Sequence, residues 1–353
     1  MFAAAAAYSA FGVDTANQLI VARAVMGLAG AMIMPATLSI LTNVFPPKER
    51  AKAVALWAGV SGGGTAFGPL LSGFVLEHYS WHAVFLLNIP LILVTLALGA
   101  FLIPRTADPN HTKLDIPGSL LSVVGLVAIV YAIIEAPAHG WLSAETLMTL
   151  AGGFIAMGVF VWWQLRAKHP MLDVRLFKKP AFGISSLVLI LVFFSLMGMF
   201  FNMSQLMQLV YGYTPLNAAV RMLPMSFAIV FASIASPRLV TKFGKRKVVS
   251  AGMLTVALGV VILATLGAAP DYIRLLVAMC IAAFGMGLSM SPTTDLLMSA
   301  VPRSRAGMGS AMNDTTRELG GSLGVAILGS LLASRYASQI ASAVSALPEA
   351  ARA

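Results

Sequence analysis

Long apolar segments separated by short polar or charged turns follow one another along the whole chain. We identify eleven, most of them near the roughly 20 residues that one helix needs to cross about 30 Å of hydrocarbon. Strands of a membrane β-barrel are only about 10 residues long and alternate in polarity, so the pattern predicts a bundle of membrane-spanning helices. The predicted segments are a short one ending near Phe11, then residues 18–43, 51–75, 82–103, 114–136, 145–166, 181–209, 215–236, 248–268, 273–297 and 306–332.

The composition indicates that lipid is the main solvent of the chain. Of its 353 residues, 59% are hydrophobic and 10% are charged, and the mean hydropathy of +0.88 lies far outside the range of soluble domains. The single cysteine, Cys280, excludes an intrachain disulfide and makes a cysteine-ligated metal site implausible. The phosphate loop G-x-x-x-x-G-K-[ST] does not occur, which argues against an ATP-driven pump.

The distribution of the basic residues predicts the topology. The formal net charge is +10, and most of the 23 lysines and arginines lie in alternate connections, at residues 46–52, 104–113, 166–180, 237–247 and 302–305. The opposite connections and the C-terminal tail hold only Arg274, Arg335 and Arg352. Such asymmetry follows the positive-inside rule. We therefore predict cytoplasmic basic loops, a tail after Leu332 on the outside, and no nucleic-acid partner.

A short repeat predicts two related bundles. The spacing P-x-x-R-A occurs from Pro47 to Ala51 and again from Pro302 to Ala306, each time in a cytoplasmic turn before a Gly-rich helix. These helices are the third and eleventh segments, so they run parallel. Two halves related by an axis along the membrane normal would give this arrangement.

The third segment carries a glycine pattern that allows close helix contact. It reads G-V-S-G-G-G-T-A-F-G-P-L-L-S-G, in which Pro69 removes an amide donor and favours a bend. Gly64, Gly68, Pro69 and Gly73 resemble the antiporter motif of the major facilitator superfamily, G-x-x-x-G-P-x-x-x-G. One departure is Ser72, which stands where a second terminal glycine is common.

Further motifs extend this resemblance over nearly the whole chain. Two of them, W-H-A-V-F-L-L-N-I-P and G-Y-T-P-L, are typical of the fourteen-span EmrB/QacA-type drug:proton antiporters. Arg23 and the glycines after it resemble the fourth helix of the family, where the arginine is implicated in proton coupling. The remaining match is the second cytoplasmic loop motif, which ends in Gly244, Lys245, Arg246 and Lys247.

The resemblance implies an all-α membrane protein, a polytopic helical bundle with the major facilitator fold. That fold has two pseudo-symmetric bundles, here with two extra central helices, and about eleven spans are present. The segments correspond to spans three to thirteen, so we expect the first two spans and the last to be absent. The implied division is residues 1–103 for a partial N-terminal bundle, 104–180 for the extra helices with cytoplasmic linkers, and 181–353 for a partial C-terminal bundle.

Ionisable side chains inside the segments are candidates for function, because burying one costs at least about 2.5 kcal/mol on insertion scales. Asp314 and Glu318 share one helical face, and Arg317 can reach Asp314. Desolvation favours a neutral carboxyl while a nearby cation favours its charged form, so small rearrangements can load or release a proton. A structural ion pair is the alternative. Arg23 and Asp295 are further candidates for proton coupling or cation recognition.

Uncharged polar residues indicate a substrate path. Asn202, Gln205 and Gln208 recur every three residues on a helix rich in Phe and Met, and Asn313 adjoins Asp314. A few hydrogen-bonding groups on an adaptable wall suit varied amphipathic ligands. Helix contacts and core filling explain the same residues equally well.

Many helices, a parallel repeat, glycine and proline interruptions and a few buried charges together indicate a secondary transporter. With the resemblance, we predict proton-coupled efflux of lipophilic or cationic small molecules by alternating access, driven by the proton gradient without a cofactor. The protein is expected in the plasma membrane, as a monomer or with a periplasmic adaptor. An exporter of one metabolite or siderophore, or a non-transporting fragment, remains an alternative. A membrane enzyme is disfavoured, since no metal cluster is recognisable and the five histidines fall in loops or at helix edges.

Overall fold

Backbone hydrogen bonding explains why the apolar segments are helices. Hydrocarbon offers no partner to an N–H or C=O group, so a spanning segment must satisfy these groups internally. The computed structural model describes residues 1–46, 49, 64, 67–102, 115–168, 170–267, 271–301 and 306–345. The regular structure in these residues is helical, which confirms the predicted all-α class.

The helices follow the predicted segments closely. Eight helical stretches within the described residues are long and apolar enough to cross a membrane. A 3-10 turn (Val174–Lys178) precedes α8, and a π-helical turn (Leu206–Val210) follows it. The helices are α1 (Phe2–Phe11), α2 (Ala16–Val44), α3 (described over residues 67–78), α4 (Ala83–Leu86), α5 (Asn88–Leu102), α6 (Ile116–His139), α7 (Ala144–Arg166), α8 (Pro180–Gln205), α9 (Pro215–Phe243), α10 (Lys245–Ala264), α11 (Tyr272–Ser299) and α12 (Ala306–Ser345).

Two helices extend beyond the predicted segments. The structure continues α9 to Phe243 and α12 to Ser345, whereas the apolar segments end near residues 236 and 332. Hydropathy marks where a chain leaves the hydrocarbon, and a helix can continue beyond that point in water. The 40 residues of α12 correspond to about 60 Å at 1.5 Å per residue, about twice the hydrocarbon thickness.

The turn between α9 and α10 depends on Gly244. Its φ of 82° lies in the left-handed region, where L side chains are disfavoured. This one residue ends α9 and begins α10, so the two helices are joined by a minimal connection. The loop motif Gly244, Lys245, Arg246 and Lys247 therefore lies at a tight turn, with its basic residues in the first turn of α10.

The chain forms two compact units, and the first comprises Met1–Asn110, Leu206–Val230 and Leu266–Cys280. In its core, small residues of α1 let α2 approach closely, and side chains of α4 and α5 cover the contact. The buried residues are Ala5, Ala6 and Met26, packed against Phe2, Val25, Phe85 and Ile89.

The second unit comprises His111–Gln205, Phe231–Thr265 and Ile281–Ala353. Here α6 packs on α7 and on α12. Ser330 donates a hydrogen bond to the carbonyl oxygen of Ile133 at 2.8 Å, and the Trp141 indole donates one to Ser334 Oγ at 3.1 Å. The predicted three-part division into residues 1–103, 104–180 and 181–353 stays a prediction.

Glycines set the contact between α8 and α12 in the second unit. A Cβ atom on Gly320 would collide with the carbonyl oxygen of Ile190, and one on Gly324 with that of Phe194. Both contacts advance by four residues in the same direction, so the two helices run parallel. Helices four spans apart in a regularly alternating bundle must run parallel, and this register agrees with the predicted succession of spans.

Candidate functional site

A buried polar cluster lies where α12 meets α8 and α11 in the second unit. Thr293 and Thr316 are 1% and 0% exposed, and Ser186 of α8 is 1% exposed. Gly320 and Gly324 place the α12 backbone directly against α8, which brings the polar residues one turn earlier on α12 into the same contact. Apolar residues adjoin the cluster: Leu176, Phe182, Leu189, Leu297 and Val301.

Arg317 is the cation of this cluster. Its Nη2 donates a hydrogen bond to Thr294 Oγ1 of α11 at 3.3 Å, and its guanidinium carbon lies 5.3 Å from the centre of the Phe193 ring of α8. Nε is buried and has no hydrogen-bond partner among the described residues. An unpaired buried donor costs about 1–3 kcal/mol, so the side chain is held without being fully satisfied.

Asn313 and Asp314 form the acidic side of the cluster. Asn313 is 7% exposed and donates from Nδ2 to Asp314 Oδ1 at 3.3 Å. The Oδ1 atom of Asn313 is buried and, among the described residues, accepts no hydrogen bond. Asp314 itself is half-buried. The cluster thus offers an amide oxygen and a carboxylate to a positively charged or hydrogen-donating group.

The spacing of Asp314 and Arg317 predicts that they can meet, and the structure separates them. Their charges attract each other, but no direct ion pair forms between them in the described part of the chain. Arg317 turns instead toward partners on α8 and α11. Glu318, predicted to share a face with Asp314, is exposed. The structure therefore brings Asn313, Asp314 and Arg317 together and leaves Glu318 outside the cluster.

Asp295 belongs to a different site. It is exposed and forms an ion pair with Lys245 of the loop motif. Arg246 and Lys247 are exposed in the same turn of α10. The pair joins the start of α10 to the last turns of α11, at the end of the helices where the basic residues are concentrated.

The predicted substrate-path residues are not arranged on one regular helical face. Asn202 donates from Nδ2 to the carbonyl oxygen of Gly198 at 2.8 Å, which is a contact within its own helix. Gln205 ends α8, while Gln208 lies in the π-helical turn that follows. A π turn changes the angular spacing of successive residues, so spacing in a regular helix misplaces Gln208. All three are half-buried.

The antiporter-motif helix makes its close contact at its last glycine. A Cβ on Gly73 would lie 3.0 Å from Leu216 Cα and 3.0 Å from the Pro215 carbonyl oxygen, both at the start of α9. A Cβ on Gly64 or Gly68 would meet no described atom within 4 Å. Pro69 lies within α3. The earlier motif glycines Gly59, Gly62 and Gly63 and the two P-x-x-R-A turns lie outside the described residues.

Arg23 is exposed on α2, in the first unit. Its helix packs on α1 through Ala22 and Met26, the neighbours on the buried face. No described acidic side chain forms an ion pair with it. Its predicted role in proton coupling stays a prediction.

Asp115 is a half-buried charge that the sequence analysis missed. It caps α6, and its carboxylate accepts four hydrogen bonds: from Trp163 Nε1 at 2.8 Å, Gln164 Nε2 at 2.7 Å, and the backbone of Gly118 at 2.9 Å and Met171 at 3.3 Å. Burial alone would raise the pKa of Asp115. The four hydrogen bonds outweigh it and lower the pKa below its usual value. The sequence signal was an aspartate two residues before Pro117, at the start of an apolar run.

The structure places Arg221 in an aromatic cluster of the first unit. Its guanidinium carbon lies 4.1 Å from the centre of the Tyr213 ring and 5.7 Å from that of Tyr272. It also donates a hydrogen bond to Asn217 Oδ1 at 3.0 Å. Tyrosines paired with an arginine are typical of a membrane–water interface.

Long apolar helices that enclose a buried polar cluster define the class of a polytopic helical membrane protein. Residues 1–325 match the model of the Major Facilitator Superfamily. The chain therefore belongs to the Major Facilitator Superfamily, a family of transporters rather than enzymes.

Its relatives include proteins named for drug efflux. The multidrug efflux pump LfrA of Mycolicibacterium smegmatis is 34% identical over 96% of this chain and 67% of its own length. The multidrug resistance protein Stp of Mycobacterium tuberculosis is 32% identical over 89% of this chain and 59% of its own. The methyl viologen resistance protein SmvA of Salmonella typhimurium is 32% identical over 96% and 69%. The chain thus spans about three fifths to two thirds of these relatives.

A solved structure supports the fold independently. The crystal structure of an auto inhibited POT family peptide transporter superposes with a TM-score of 0.57 at 18% identity, covering 99% of this chain and 76% of that one. At this identity the likeness concerns the fold alone.

Proposed function

We propose that this chain is the transporting part of a proton-coupled exporter of lipophilic, mainly cationic small molecules. The observation that carries the proposal is the half-buried carboxylate of Asp314 beside Arg317 and Asn313 on α12. Relatives named as a multidrug efflux pump and as a methyl viologen resistance protein support it. Methyl viologen is an organic dication, so a carboxylate would suit its recognition.

Proton coupling follows from the position of Asp314. A carboxyl group in a low-dielectric site favours its neutral form, and an approaching or departing cation shifts that balance. A substrate cation and a proton would then compete for the same carboxylate, which is the requirement for exchange. Each proton charge that crosses the membrane contributes about 2.3 kcal/mol per 100 mV. No cofactor is needed, because the gradient supplies the energy.

The proposal also covers the membrane topology of the chain and its branch of the superfamily. We assign the chain to the fourteen-span EmrB/QacA-type branch, with α6 and α7 as the extra central helices. The protein lies in the plasma membrane, and its basic loops face the cytoplasm. The positive-inside asymmetry supports this orientation. The protein would act as a monomer or with a periplasmic adaptor.

Proteoliposomes test the function directly. The purified chain is reconstituted into vesicles with an acidic lumen that contains a pH-sensitive dye, and lipophilic cations, neutral compounds and anions are added outside. We expect the cations to enter while protons leave, so the lumen becomes more alkaline only when both protein and substrate are present. Asp314→Asn should abolish this substrate-dependent proton release.

A matched control is Glu135→Gln, which neutralises a carboxylate paired with His139 on α6 and should leave the exchange intact. Proton release that is the same in Asp314→Asn and in the unmodified chain would remove Asp314 from the mechanism. Uptake of a cation without any proton movement would contradict coupling but not transport. Exchange restricted to neutral compounds or anions would contradict the proposed substrate class.

A further inference from the structure

Arg317 is a half-buried cation whose contacts with the described residues leave much of its hydrogen-bonding capacity unused. A guanidinium carries five N–H donors. Among the described residues it makes one hydrogen bond to another side chain, to Thr294 Oγ1, and at 3.3 Å this bond is longer than the usual range. The buried Nε has no partner within the described residues. Hydrogen bonding to the described residues therefore holds the guanidinium only weakly.

The groups around Arg317 are those that bind a positive charge. The ring of Phe193 lies 5.3 Å from the guanidinium carbon, within the distance of a cation–π contact. Asp314 supplies a carboxylate that attracts the arginine without pairing with it. Asn313 adds a buried Oδ1 acceptor without a partner in the described part of the chain. We refer to Phe193, Asp314 and Asn313 as the cation site.

A purely structural arginine would be expected to look different. Buried charges that stabilise a fold are paired and hydrogen-bonded on all sides, because an unpaired donor or acceptor is unfavourable in a low dielectric. Here a donor and an acceptor, Arg317 Nε and Asn313 Oδ1, lie one helical turn apart on α12, and neither has a partner among the residues described. This mismatch is expected if the site is shaped for another cation.

We propose that Arg317 is an internal substitute for the cation of the substrate: its guanidinium occupies the cation site, and a lipophilic cation enters by displacing it. The inference rests on the proposed export of cations and adds that the protein's own arginine competes with the substrate. Within the part of the chain that the structure describes, displacement breaks one long hydrogen bond and no ion pair. The expelled guanidinium no longer shields Asp314, so the carboxylate is left to the incoming cation.

Competition predicts that removing the arginine improves binding, which is opposite to the usual effect of deleting a polar side chain from a site. The probe is tetraphenylphosphonium, a lipophilic cation without N–H donors, and its dissociation constant is measured by equilibrium dialysis with the purified chain in detergent. We expect Arg317→Gln to bind it about tenfold more tightly, because a like charge leaves the site. Arg317→Lys retains the charge and should bind it about as the unmodified chain does.

Two further variants locate the effect at the cation site. Phe193→Leu, introduced together with Arg317→Gln, should cancel most of the gain, because it removes the ring face on which the cation rests. Thr294→Val retains the arginine and removes its hydrogen bond, so it should give a smaller gain of about twofold to threefold. If Arg317→Gln does not fold, as judged by elution profile and thermal unfolding, Thr294→Val tests whether the arginine competes with the probe.

Several results would overturn the inference. Unchanged or weaker binding by folded Arg317→Gln would show that the arginine does not compete, and so would unchanged binding by Thr294→Val where Arg317→Gln is unfolded. A gain of equal size in Arg317→Lys would show that charge is not the cause. If the unmodified chain and all variants fail to bind the probe, the proposed export of cations fails and the inference with it. Binding by the unmodified chain without the expected change in the variants contradicts the inference alone.

Discussion

Replacing Asp115 by alanine removes the acceptor that four donors share at the start of α6. Two of these donors are side chains of α7, Trp163 and Gln164, and a third is the backbone of Gly118 in the first turn of α6. The fourth, Met171, follows α7 and is exposed. The carboxylate thus joins the beginning of α6 to the end of α7 and to the chain that follows it.

The expected loss of stability can be worked from these contacts. Gln164 is 3% exposed, and an unpaired buried donor costs about 1–3 kcal/mol. Loss of a helix N-cap costs about 1 kcal/mol. Water can reach Met171, so its bond adds nothing. Because Asp115 and Trp163 are half-buried, we take the lower end for the two side-chain donors and expect about 3 kcal/mol in total for Asp115→Ala.

Asp115→Asn provides the graded comparison. The amide retains one oxygen for Trp163 and Gly118 but presents N–H groups where Gln164 now donates, so we expect a loss of about 1 kcal/mol. The measurement is the free energy of unfolding in mixed detergent and dodecyl sulfate micelles, followed by circular dichroism. Asp14→Ala, which changes an exposed aspartate, should stay within about 0.5 kcal/mol of the unmodified chain. The reasoning would be refuted by an Asp115→Ala variant equally close to it.

Three further predictions follow from the same structure. The pKa of Asp115 in the folded chain lies below its ordinary 3.8. Its contribution to stability is therefore complete above pH 3.8 and is lost as the pH falls through the folded pKa. An acid titration of the free energy of unfolding should show this loss in the unmodified chain and not in Asp115→Asn. Gly73→Ala should destabilise by about 1–3 kcal/mol because its Cβ meets backbone atoms, whereas Gly68→Ala should not, by the same assay. Neutralising Asp295, whose ion pair with Lys245 is exposed, should lower the free energy of unfolding by no more than about 1 kcal/mol. This loss should disappear at high salt.

The sequence was sufficient for the order of most of the helices that the structure describes, because a span needs a long apolar run and the polar turns are short. It did not predict that the segment 82–103 is divided into α4 and α5. It did not predict that α12 continues to Ser345, since that part lies beyond the apolar segment. It also did not predict the π-helical turn (Leu206–Val210), which moves Gln208 out of register with Asn202. No residue pattern on a single helix announces one extra residue per turn.

Three residues of the cluster, Asn313, Asp314 and Arg317, were named as candidates from the sequence, but their contacts were not predicted. Spacing along α12 placed Asp314 within reach of Arg317, and this is the only information that spacing contains. The actual partners of the arginine, Phe193 and Thr294, come from α8 and α11. Which of several reachable partners a long side chain selects depends on how the helices pack, and the glycines that fix that packing do not reveal the register by themselves.

Two half-buried charges of the second unit differ in how fully their hydrogen-bonding groups are paired. Asp115 accepts four hydrogen bonds from neighbouring residues. With the described residues, Arg317 makes one long side-chain hydrogen bond and leaves Nε unpaired, and Asn313 leaves Oδ1 unpaired. Ordinary side chains can supply a charged group with hydrogen-bond partners, as they do around Asp115. The polar atoms without partners around Arg317 therefore favour a functional explanation. A group that must release its site to a substrate cannot also be bound there as tightly as the fold would allow.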